Sequence, residues 1–395
     1  MVKAVAEGVR IAGFGAAVPR PRHAFTETPA PFSAEEAAKL CASTGVVSRR
    51  ILPPFLCASD MALAAAEDLL ARLAWDPATI DVLIFVSQDA DYNLPATACL
   101  LQRRLRLPST CAAFDVSLGC SGFIYGLWLA SRLLGGGSAR RALVLCGDVS
   151  SRHLVPGDRS TLPLFGDAGA AAALEWHPQA PPLHFCLGTD GRGAPHICVQ
   201  AGGRRNPLTP GLVARTPEEE EALFTRARLS LNGAEVFAFT LRAVPALVRD
   251  VLEFAGLPRE ALDQVVLHQA NRFMLEHLRK KIGIPEERFV MAMESYGNTS
   301  SASIPLAVCH SLGSAFQHRP LTLLLAGFGV GWSWGALVGQ IGPLPPLGVV
   351  EIPDDAVPLD LASDPDPKPV ADPVPTPHEP AAPHEPATPH EPTAP

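Results

Sequence analysis

A single cysteine lies between glycines at the start of a strongly apolar segment. In FDVSLGCSGFIYGLWLASRLL, residues 114–134, Cys120 directly follows Gly119 and precedes Ser121 and Gly122. The apolar residues that follow predict a helix beginning just after the cysteine. A thiol at a helix N-terminus faces the positive end of the helix dipole, so we expect a lowered pKa and a nucleophilic thiolate. The alternative is a small buried residue without chemistry.

Two further residues have the chemistry that a nucleophilic cysteine needs beside it. His268 follows the apolar run VVL, so it lies at the carboxyl end of a predicted strand, where ligands bind in α/β sheets. Asn298 follows Gly297 in ESYGNTSSASIPLA, where small hydroxyl residues open a predicted helix. Each has a plain structural alternative, a core histidine for the first and a helix cap for the second.

Helix and strand patterns repeat along the chain in the same order. Residues 65–88 read as an amphipathic helix, a proline-containing turn and an apolar strand, and residues 247–269 repeat this plan. The apolar strand at 141–150 has a counterpart at 321–331. Fully apolar strands that alternate with helices predict a largely parallel sheet covered on both faces. Two copies predict a pseudo-duplicated α/β architecture, with the short apolar helix after the cysteine in its core.

Composition argues against several classes of protein. Of the 395 residues, 47% are hydrophobic and 18% are charged, and the formal net charge of −8 argues against a nucleic-acid partner. The apolar helix is too short to span a bilayer, and the N-terminus lacks the pattern of a secretory leader. The nine cysteines contain no CxxC pair. We therefore expect a cytoplasmic protein with reduced thiols, no disulfide framework, no membrane span and no metal site.

Proline, alanine and acidic residues dominate from about residue 344 to the end, where the hexads PHEPAA, PHEPAT and PHEPTA repeat. Such a segment cannot bury enough apolar surface to fold, so residues 344–395 are expected to form a disordered, extended tail. Its three evenly spaced histidines, His378, His384 and His390, could bind a metal weakly, but a solvated tether is the simpler interpretation.

Five separated segments together resemble one family. FDVSLGCSGFIYGL, FGDAGA at 165–170, HQAN, YGNTSSASIPLA and GFGVGWSWGALV are similar, in this order, to β-ketoacyl-[acyl carrier protein] synthase III of the thiolase superfamily. The resemblance extends over roughly residues 8–342. It implies a homodimer and a thiolase-like, five-layered αβαβα fold of two similar halves. Here the halves would be 1–176, with the cysteine, and 177–343, with the histidine and the asparagine.

The resemblance also implies a mechanism. Cys120 would take an acyl group from a thioester primer, and His268 and Asn298 would hydrogen-bond the thioester carbonyl of malonyl-acyl carrier protein as carbon dioxide leaves. The carbanion would attack the acyl-cysteine and give a β-ketoacyl thioester for fatty acid or polyketide-type biosynthesis. The N–H groups of Cys120 and Val330 would form a second oxyanion hole, if the φ angle of Val330 is negative. No cofactor is implied, because the acyl-coenzyme A or acyl carrier protein thioesters are substrates.

A further set of residues is expected, by the same resemblance, to bind substrate and carrier protein. The substrate-binding candidates are Thr44, Arg159, Phe165, Leu231, Ala270 and Leu94, the last of which would reach the acyl pocket of a neighbouring subunit. Lys39 stands where relatives that use coenzyme A primers carry a tryptophan against the adenine, which favours a carrier-bound primer. Arg272 and Arg279, on the helix after His268, are expected to dock an acidic acyl carrier protein.

Two other functions stay open at the level of sequence. Relatives of the same fold move an acyl group from the cysteine to an oxygen or nitrogen acceptor without condensation. These relatives often lack the asparagine, so Asn298 favours condensation. The other possibility is an inactive partner subunit that uses the tail as an interaction arm, and the presence of all three groups argues against it.

Overall fold

The computed structural model describes residues 1–25, 27, 31–135, 139–155, 157–208 and 216–358. The strands in this part of the chain are β1 (Val2–Ala6), β2 (Val9–Pro19), β3 (Arg22–Ala24), β4 (Ser48–Arg50), β5 (Val82–Val86), β6 (Ala112–Val116), β7 (Arg141–Asp148), β8 (Ala168–Trp176), β9 (Leu183–Thr189), β10 (Ile197–Val199), β11 (Leu229–Leu231), β12 (Gln264–Leu267), β13 (Leu321–Gly329), β14 (Ser333–Ile341) and β15 (Val349–Ile352). The α-helices are α1 (Ala34–Thr44), α2 (Ala58–Leu73), α3 (Thr97–Arg104), α4 (Gly122–Leu134), α5 (Pro217–Arg226), α6 (Gly233–Ala255), α7 (Arg272–Ile282) and α8 (Ser303–Ser311).

Two large sheets alternate with layers of helices. Sheet I has the strand order β15-β2-β8-β7-β5-β6, and sheet II has the order β1-β9-β14-β13-β12. Helices α4 and α8 pack between the two sheets, where one apolar core joins them. Helices α2 and α3 cover the other face of sheet I, and α6 and α7 cover the other face of sheet II. The expected five-layered αβαβα fold is therefore confirmed.

The repeat seen in the sequence corresponds to a repeat in the structure. Helix α2 leads to β5 and α6 leads to β12, each through a 3-10 turn of three residues. The Asp81 carboxylate accepts hydrogen bonds from the N–H groups of Arg140 and Arg141 at 2.6 and 3.0 Å, where β7 begins. The Asp263 carboxylate accepts one from the N–H of Thr322 at 2.8 Å, where β13 begins. An aspartate before one strand thus anchors the neighbouring strand in both halves.

The sheets are less parallel than the sequence predicts. Pairs β5–β6, β5–β7, β15–β2 and β12–β13 are parallel, whereas the other pairs of the two sheets are antiparallel. Strands β13 and β14 are joined by three residues, which permits only a hairpin. Strand β1 pairs with β9 in sheet II, so the first half contributes a strand to the sheet of the second. The expected boundary at 176 falls between β8 and β9, but residues Met1–Leu361 form one compact unit.

The expected start of the tail at residue 344 is wrong, because the folded part of the chain continues beyond it. Leu344 is buried, and β15 pairs in parallel with β2 at the edge of sheet I. Arg50 lies 3.0 Å from Glu351, and Ile352 is only 6% exposed. The short β-branched run VVEI supplies this strand within a proline-rich context. Residues 359–395, with their histidine hexads and the predicted disorder, lie outside the described residues.

Helix α4 lies in the central layer, as predicted, but one side of it reaches the surface. Phe123, Ile124 and Leu127 are fully buried between the sheets, whereas Leu133 is 41% exposed. Within the described ranges, no helix combines the length and the hydrophobicity that a membrane span requires.

Candidate active site

Cys120 lies between β6 and α4, directly before Ser121, the N-cap residue of the helix. Hydrogen bonds from the N–H groups of Val330 and Cys120 and from the hydroxyl of Ser300 lower the pKa of its thiol. Burial nevertheless raises the pKa of the thiol to about 11, and the Asp148 carboxylate adds to this effect. The expected lowering of the pKa is therefore wrong, because the lost hydration of the thiolate outweighs these hydrogen bonds.

The loop between β13 and β14 closes over the sulfur. A Cβ atom on Gly329 would lie 2.8 Å from Sγ of Cys120, so only glycine permits this approach. The hydroxyl of Ser333 lies 2.6 Å from the hydroxyl of Ser121 and donates to the carbonyl of Val330 at 2.8 Å. Val330 is not among the described non-glycine residues with positive φ. It therefore meets the condition under which its N–H can line an oxyanion hole.

His268 directly follows β12 and is 2% exposed. Its Nδ1 atom lies 2.7 Å from Oγ of Ser303 at the start of α8, and its ring packs edge-on against Phe328. Burial lowers the pKa of the imidazole to about 4, although a hydrogen bond to the backbone of Ser300 acts in the opposite direction. The ring is therefore neutral near pH 7 and has one N–H to donate.

Asn298 is held in a tight turn that requires the glycine before it. Gly297 has a φ of 74°, and a Cβ atom there would lie 2.6 Å from the carbonyl oxygen of Leu164. The N–H of Asn298 donates to that carbonyl at 2.7 Å, and Oδ1 accepts from the N–H of Ser300 at 3.0 Å. Since the amide oxygen is occupied, the NH₂ group is the part of the side chain available to a ligand.

Ser300 connects the three predicted residues, although it was not among the residues predicted from the sequence. Its hydroxyl bonds to Cys120, its N–H bonds to Asn298 and its backbone bonds to His268. Its φ of 50° is rare for a non-glycine residue. The only indication in the sequence that Ser300 belongs to the site is its position two residues after Asn298. That signal is indistinguishable from a helix-capping serine.

One cavity of about 810 Å³ brings these groups together, a size typical of small-molecule sites. The predicted residues that line it are Cys120, His268, Asn298, Val330, Phe165, Leu231 and Ala270. A group of polar residues in the same lining was not predicted from the sequence, namely Gln88, Asp89, Asp148, Ser150 and His153.

Three predicted substrate-binding residues lie outside this lining. Thr44 ends α1, where its hydroxyl donates to the carbonyl of Leu40 at 2.7 Å. Arg159 forms an ion pair with Glu36 near the start of the same helix. Leu94 is 76% exposed. The first two residues thus both contact α1, and the third lies outside the lining of the chain's own cavity.

The two arginines predicted to dock a carrier protein differ in their surroundings. The side chain of Arg272 is 45% exposed and lies 3.4 Å from Glu294. The side chain of Arg279 is 15% exposed, lies 2.8 Å from Glu276 and donates to the carbonyl of Ile284. Arg279 is thus paired and holds the chain that leaves α7, and its part in docking stays a prediction.

The layered fold, with a cysteine, a neutral histidine and an asparagine on one cavity, defines a condensing enzyme of the thiolase type. Residues 114–191 match the family described as 3-oxoacyl-[acyl-carrier-protein (ACP)] synthase III, and residues 252–341 match its C-terminal part. The β-ketoacyl-[acyl-carrier-protein] synthase III of Streptococcus equi subsp. zooepidemicus is 35% identical over 300 residues, which are 75% of this chain and 89% of the relative. That of Thermosynechococcus vestitus is 34% identical over 331 residues, which are 84% of this chain and 97% of the relative.

Solved structures agree with these matches. The 3-oxoacyl-(acyl-carrier protein) synthase of Burkholderia xenovorans LB400 is 40% identical, with a TM-score of 0.83, over 89% of this chain and 99% of that chain. The priming β-ketosynthase of the R1128 polyketide pathway is 27% identical, with a TM-score of 0.75, over 86% of this chain and 98% of that chain. The chain belongs to the β-ketoacyl-[acyl carrier protein] synthase III family, the condensing enzymes of fatty acid biosynthesis, as its sequence motifs predict.

Proposed function

We propose that this chain condenses an acyl thioester primer with malonyl-acyl carrier protein, and that Cys120 carries the acyl group between the two half-reactions. The observation that carries this proposal is the cavity in which Ser300 bonds to Cys120, Asn298 and His268. A nucleophile and two neutral donors on one cavity are the groups that acyl transfer and enolate formation require.

The first half-reaction transfers the acyl group to sulfur. The thiol is protonated in the resting enzyme near neutral pH, so its proton must leave as the new S–C bond forms. The C–S bond of the primer breaks, and its leaving thiolate takes up that proton. The N–H groups of Cys120 and Val330, which hydrogen-bond to the thiol, would stabilise the oxyanion of the tetrahedral intermediate.

The second half-reaction joins two carbon atoms. His268 and Asn298 donate to the thioester carbonyl of the malonyl group while its carboxylate leaves as carbon dioxide and the bonding electrons form the enolate. The enolate carbon attacks the acyl-cysteine carbonyl, and the cysteine thiolate leaves and takes up a proton. We assign the hydroxyl of Ser303 as the donor to Nδ1 of His268, which puts the ring proton on Nε2.

Intact-protein mass spectrometry tests the proposal directly. Incubation with an acyl thioester should add one acyl group to the protein, and the Cys120→Ala variant should remain unmodified. Release of carbon dioxide from malonyl-acyl carrier protein, with a β-ketoacyl product, should then require the acylated enzyme. An adduct that persists in the Cys120→Ala variant would contradict this assignment. Transfer to an oxygen or nitrogen acceptor without loss of carbon dioxide would favour the acyltransferase alternative.

The assembly and the substrates are part of the proposal. We propose a homodimer, supported by the exposed apolar side chains of Leu94, Tyr92 and Leu133, which are 76%, 37% and 41% exposed. In such a dimer, Leu94 would serve the partner's acyl pocket. All nine cysteines are free, which supports a reducing, cytoplasmic setting. We propose thioesters as the only small-molecule requirement, with no resident cofactor. Sedimentation measurements would test the dimer.

Carrier docking is proposed near Arg272, beside the mouth of the cavity. Its neighbours Asn271 and Phe273 both line the cavity, and its guanidinium group is partly exposed. An acidic carrier protein would therefore meet a positive charge where its prosthetic arm enters. Thr44 and Arg159 stay proposed as contacts for that arm further out, beside α1.

A further inference from the structure

One wall of the active-site cavity is polar, and neither half-reaction uses it. Gln88 and Asp89 follow β5, and Ser150 and His153 lie in the 3-10 turn that follows β7. All four line the same cavity as the sulfur of Cys120. We refer to these four residues as the polar corner. Gln88 extends to the turn before the nucleophile, since its Oε1 atom would lie 2.2 Å from a Cβ atom at Gly119.

Asp89 holds the imidazole of His153 in place. Its Oδ1 atom lies 2.9 Å from Nε2 of His153, and its Oδ2 atom accepts the N–H of Val149 at 2.7 Å. This bond raises the pKa of His153, while burial and Arg228 act against it. Each carboxylate oxygen thus already accepts one hydrogen bond. Within the described part of the chain, Nδ1 of His153, the hydroxyl of Ser150 and the side-chain amide of Gln88 have no hydrogen-bond partner.

These free polar groups disfavour an unsubstituted alkyl primer. A hydrocarbon chain beside them would displace water from a donor or an acceptor without replacing its hydrogen bond, which is unfavourable. A hydroxyl group, which is both donor and acceptor, would replace the displaced water. The rest of the lining contains Leu164, Phe165 and Phe328, which suit the carbon atoms of the same chain.

The charges around the polar corner disfavour an ionised primer. Among the described residues, Asp89 and Asp148 are the carboxylates that act on His153, Arg228 is a cation that acts on it, and Arg152 is a cation that acts on Asp89. For an added carboxylate or ammonium group, attraction to the charges of one sign is offset by repulsion from those of the other, and the cost of removing the charged group from water remains. Asp148 itself is 2% exposed and is occupied by bonds from Gln88 and Ser301. A neutral hydrogen-bonding group avoids the cost of removing a charge from water.

We propose that the primer that acylates Cys120 is a short acyl thioester with a hydroxyl group, which His153, Ser150 and Gln88 bind in the polar corner. This inference rests on the proposed function, because it names the substrate class of the same acyl site. Asp89 is a positioning residue in it, since its carboxylate orients the imidazole of His153 and accepts the N–H of Val149.

Competition between matched small thioesters tests the inference. The full-length protein is mixed with N-acetylcysteamine thioesters of butyrate, the 2-, 3- and 4-hydroxybutyrates, 4-aminobutyrate and succinate, and the rate of each Cys120 adduct is followed by mass spectrometry. We expect one hydroxybutyryl isomer to acylate about five- to tenfold faster than butyryl, the effect of about one hydrogen bond. His153→Leu should invert this ratio, and His153→Asn should restore part of it. The exposed His318 lies outside the cavity lining, so His318→Leu serves as the matched control.

The outcomes separate this inference from the proposed function. If butyryl, aminobutyryl or succinyl reacts at least as fast as every hydroxy isomer, the inference is overturned while acylation of Cys120 stands. If no thioester gives an adduct, the inference and the proposed function fail together. If His153→Leu does not fold, as shown by its thermal unfolding, Ser150→Ala replaces it, and an unchanged ratio of hydroxybutyryl to butyryl rates in that variant overturns the inference.

Discussion

The ionisation of Cys120 provides a sharp test of the active-site geometry. A pKa of about 11 leaves roughly one thiol in 10⁴ ionised at pH 7 and about one in 10² at pH 9. Because iodoacetamide reacts with the thiolate, its rate of reaction with Cys120 should rise about tenfold per pH unit from pH 7 to pH 9. A thiol activated by the helix N-terminus alone would instead give a plateau over that range.

The assay is alkylation followed by peptide mass spectrometry, which separates the nine cysteines from one another. The Cys120→Ala variant identifies the peptide, and the exposed Cys99 is followed in the same samples as the reference thiol. A second perturbation is Ser300→Ala, which removes a donor to the sulfur. It should slow alkylation at pH 8 by about two- to tenfold, the effect of one lost hydrogen bond. Ser314→Ala, at an exposed serine, is the matched control.

A plateau in the Cys120 rate below pH 8 would refute the reasoning, since it would mean that dipole and donors outweigh burial. Faster alkylation in the Ser300→Ala variant, with the tenfold slope kept, would show that the hydroxyl blocks access to the sulfur more than it stabilises the thiolate.

Four further predictions address the rest of the site and the fold. Asn298→Ala should reduce condensation about 10²-fold, the scale for one oxyanion donor, and should leave acylation largely intact; equal losses in both assays would contradict this division. Ser303→Ala should lower malonyl decarboxylation about tenfold, because the proton of the His268 ring would no longer be held on Nε2. Acylation is measured alongside as the control. Truncation after Pro358 should leave the free energy of unfolding unchanged, whereas truncation after Gly348 removes β15 and should cost roughly 2–3 kcal/mol in denaturant titrations, about one buried aliphatic side chain. Arg272→Glu should raise the KM for malonyl-acyl carrier protein at low salt and leave acylation by a small thioester unchanged, and a normal KM would place docking elsewhere.

The local elements and the reacting groups can be predicted from the sequence. The helix after Cys120, the strand before His268 and the glycine before Asn298 each follow from residues within a few positions, because periodicity and turn chemistry are local. The repeated helix–turn–strand plan likewise predicts two similar halves, and Asp81 and Asp263 play the same anchoring role in them. These local patterns are enough to predict where the reacting groups lie, at the carboxyl ends of strands and at the start of a helix.

The tertiary structure alone decides how those groups behave. The pKa of Cys120 rises because a loop from the other half of the chain covers the sulfur, and no pattern around residue 120 contains that information. The sequence shows Arg279 only as one basic residue in a basic stretch. In the structure its guanidinium group donates a hydrogen bond to the carbonyl of Ile284, in the turn after α7. The polar corner joins residues from two strand ends that are about sixty positions apart in sequence. Desolvation and pairing depend on which distant segments meet, so the sequence determines which groups react, while the packing of the two halves sets their protonation and their partners.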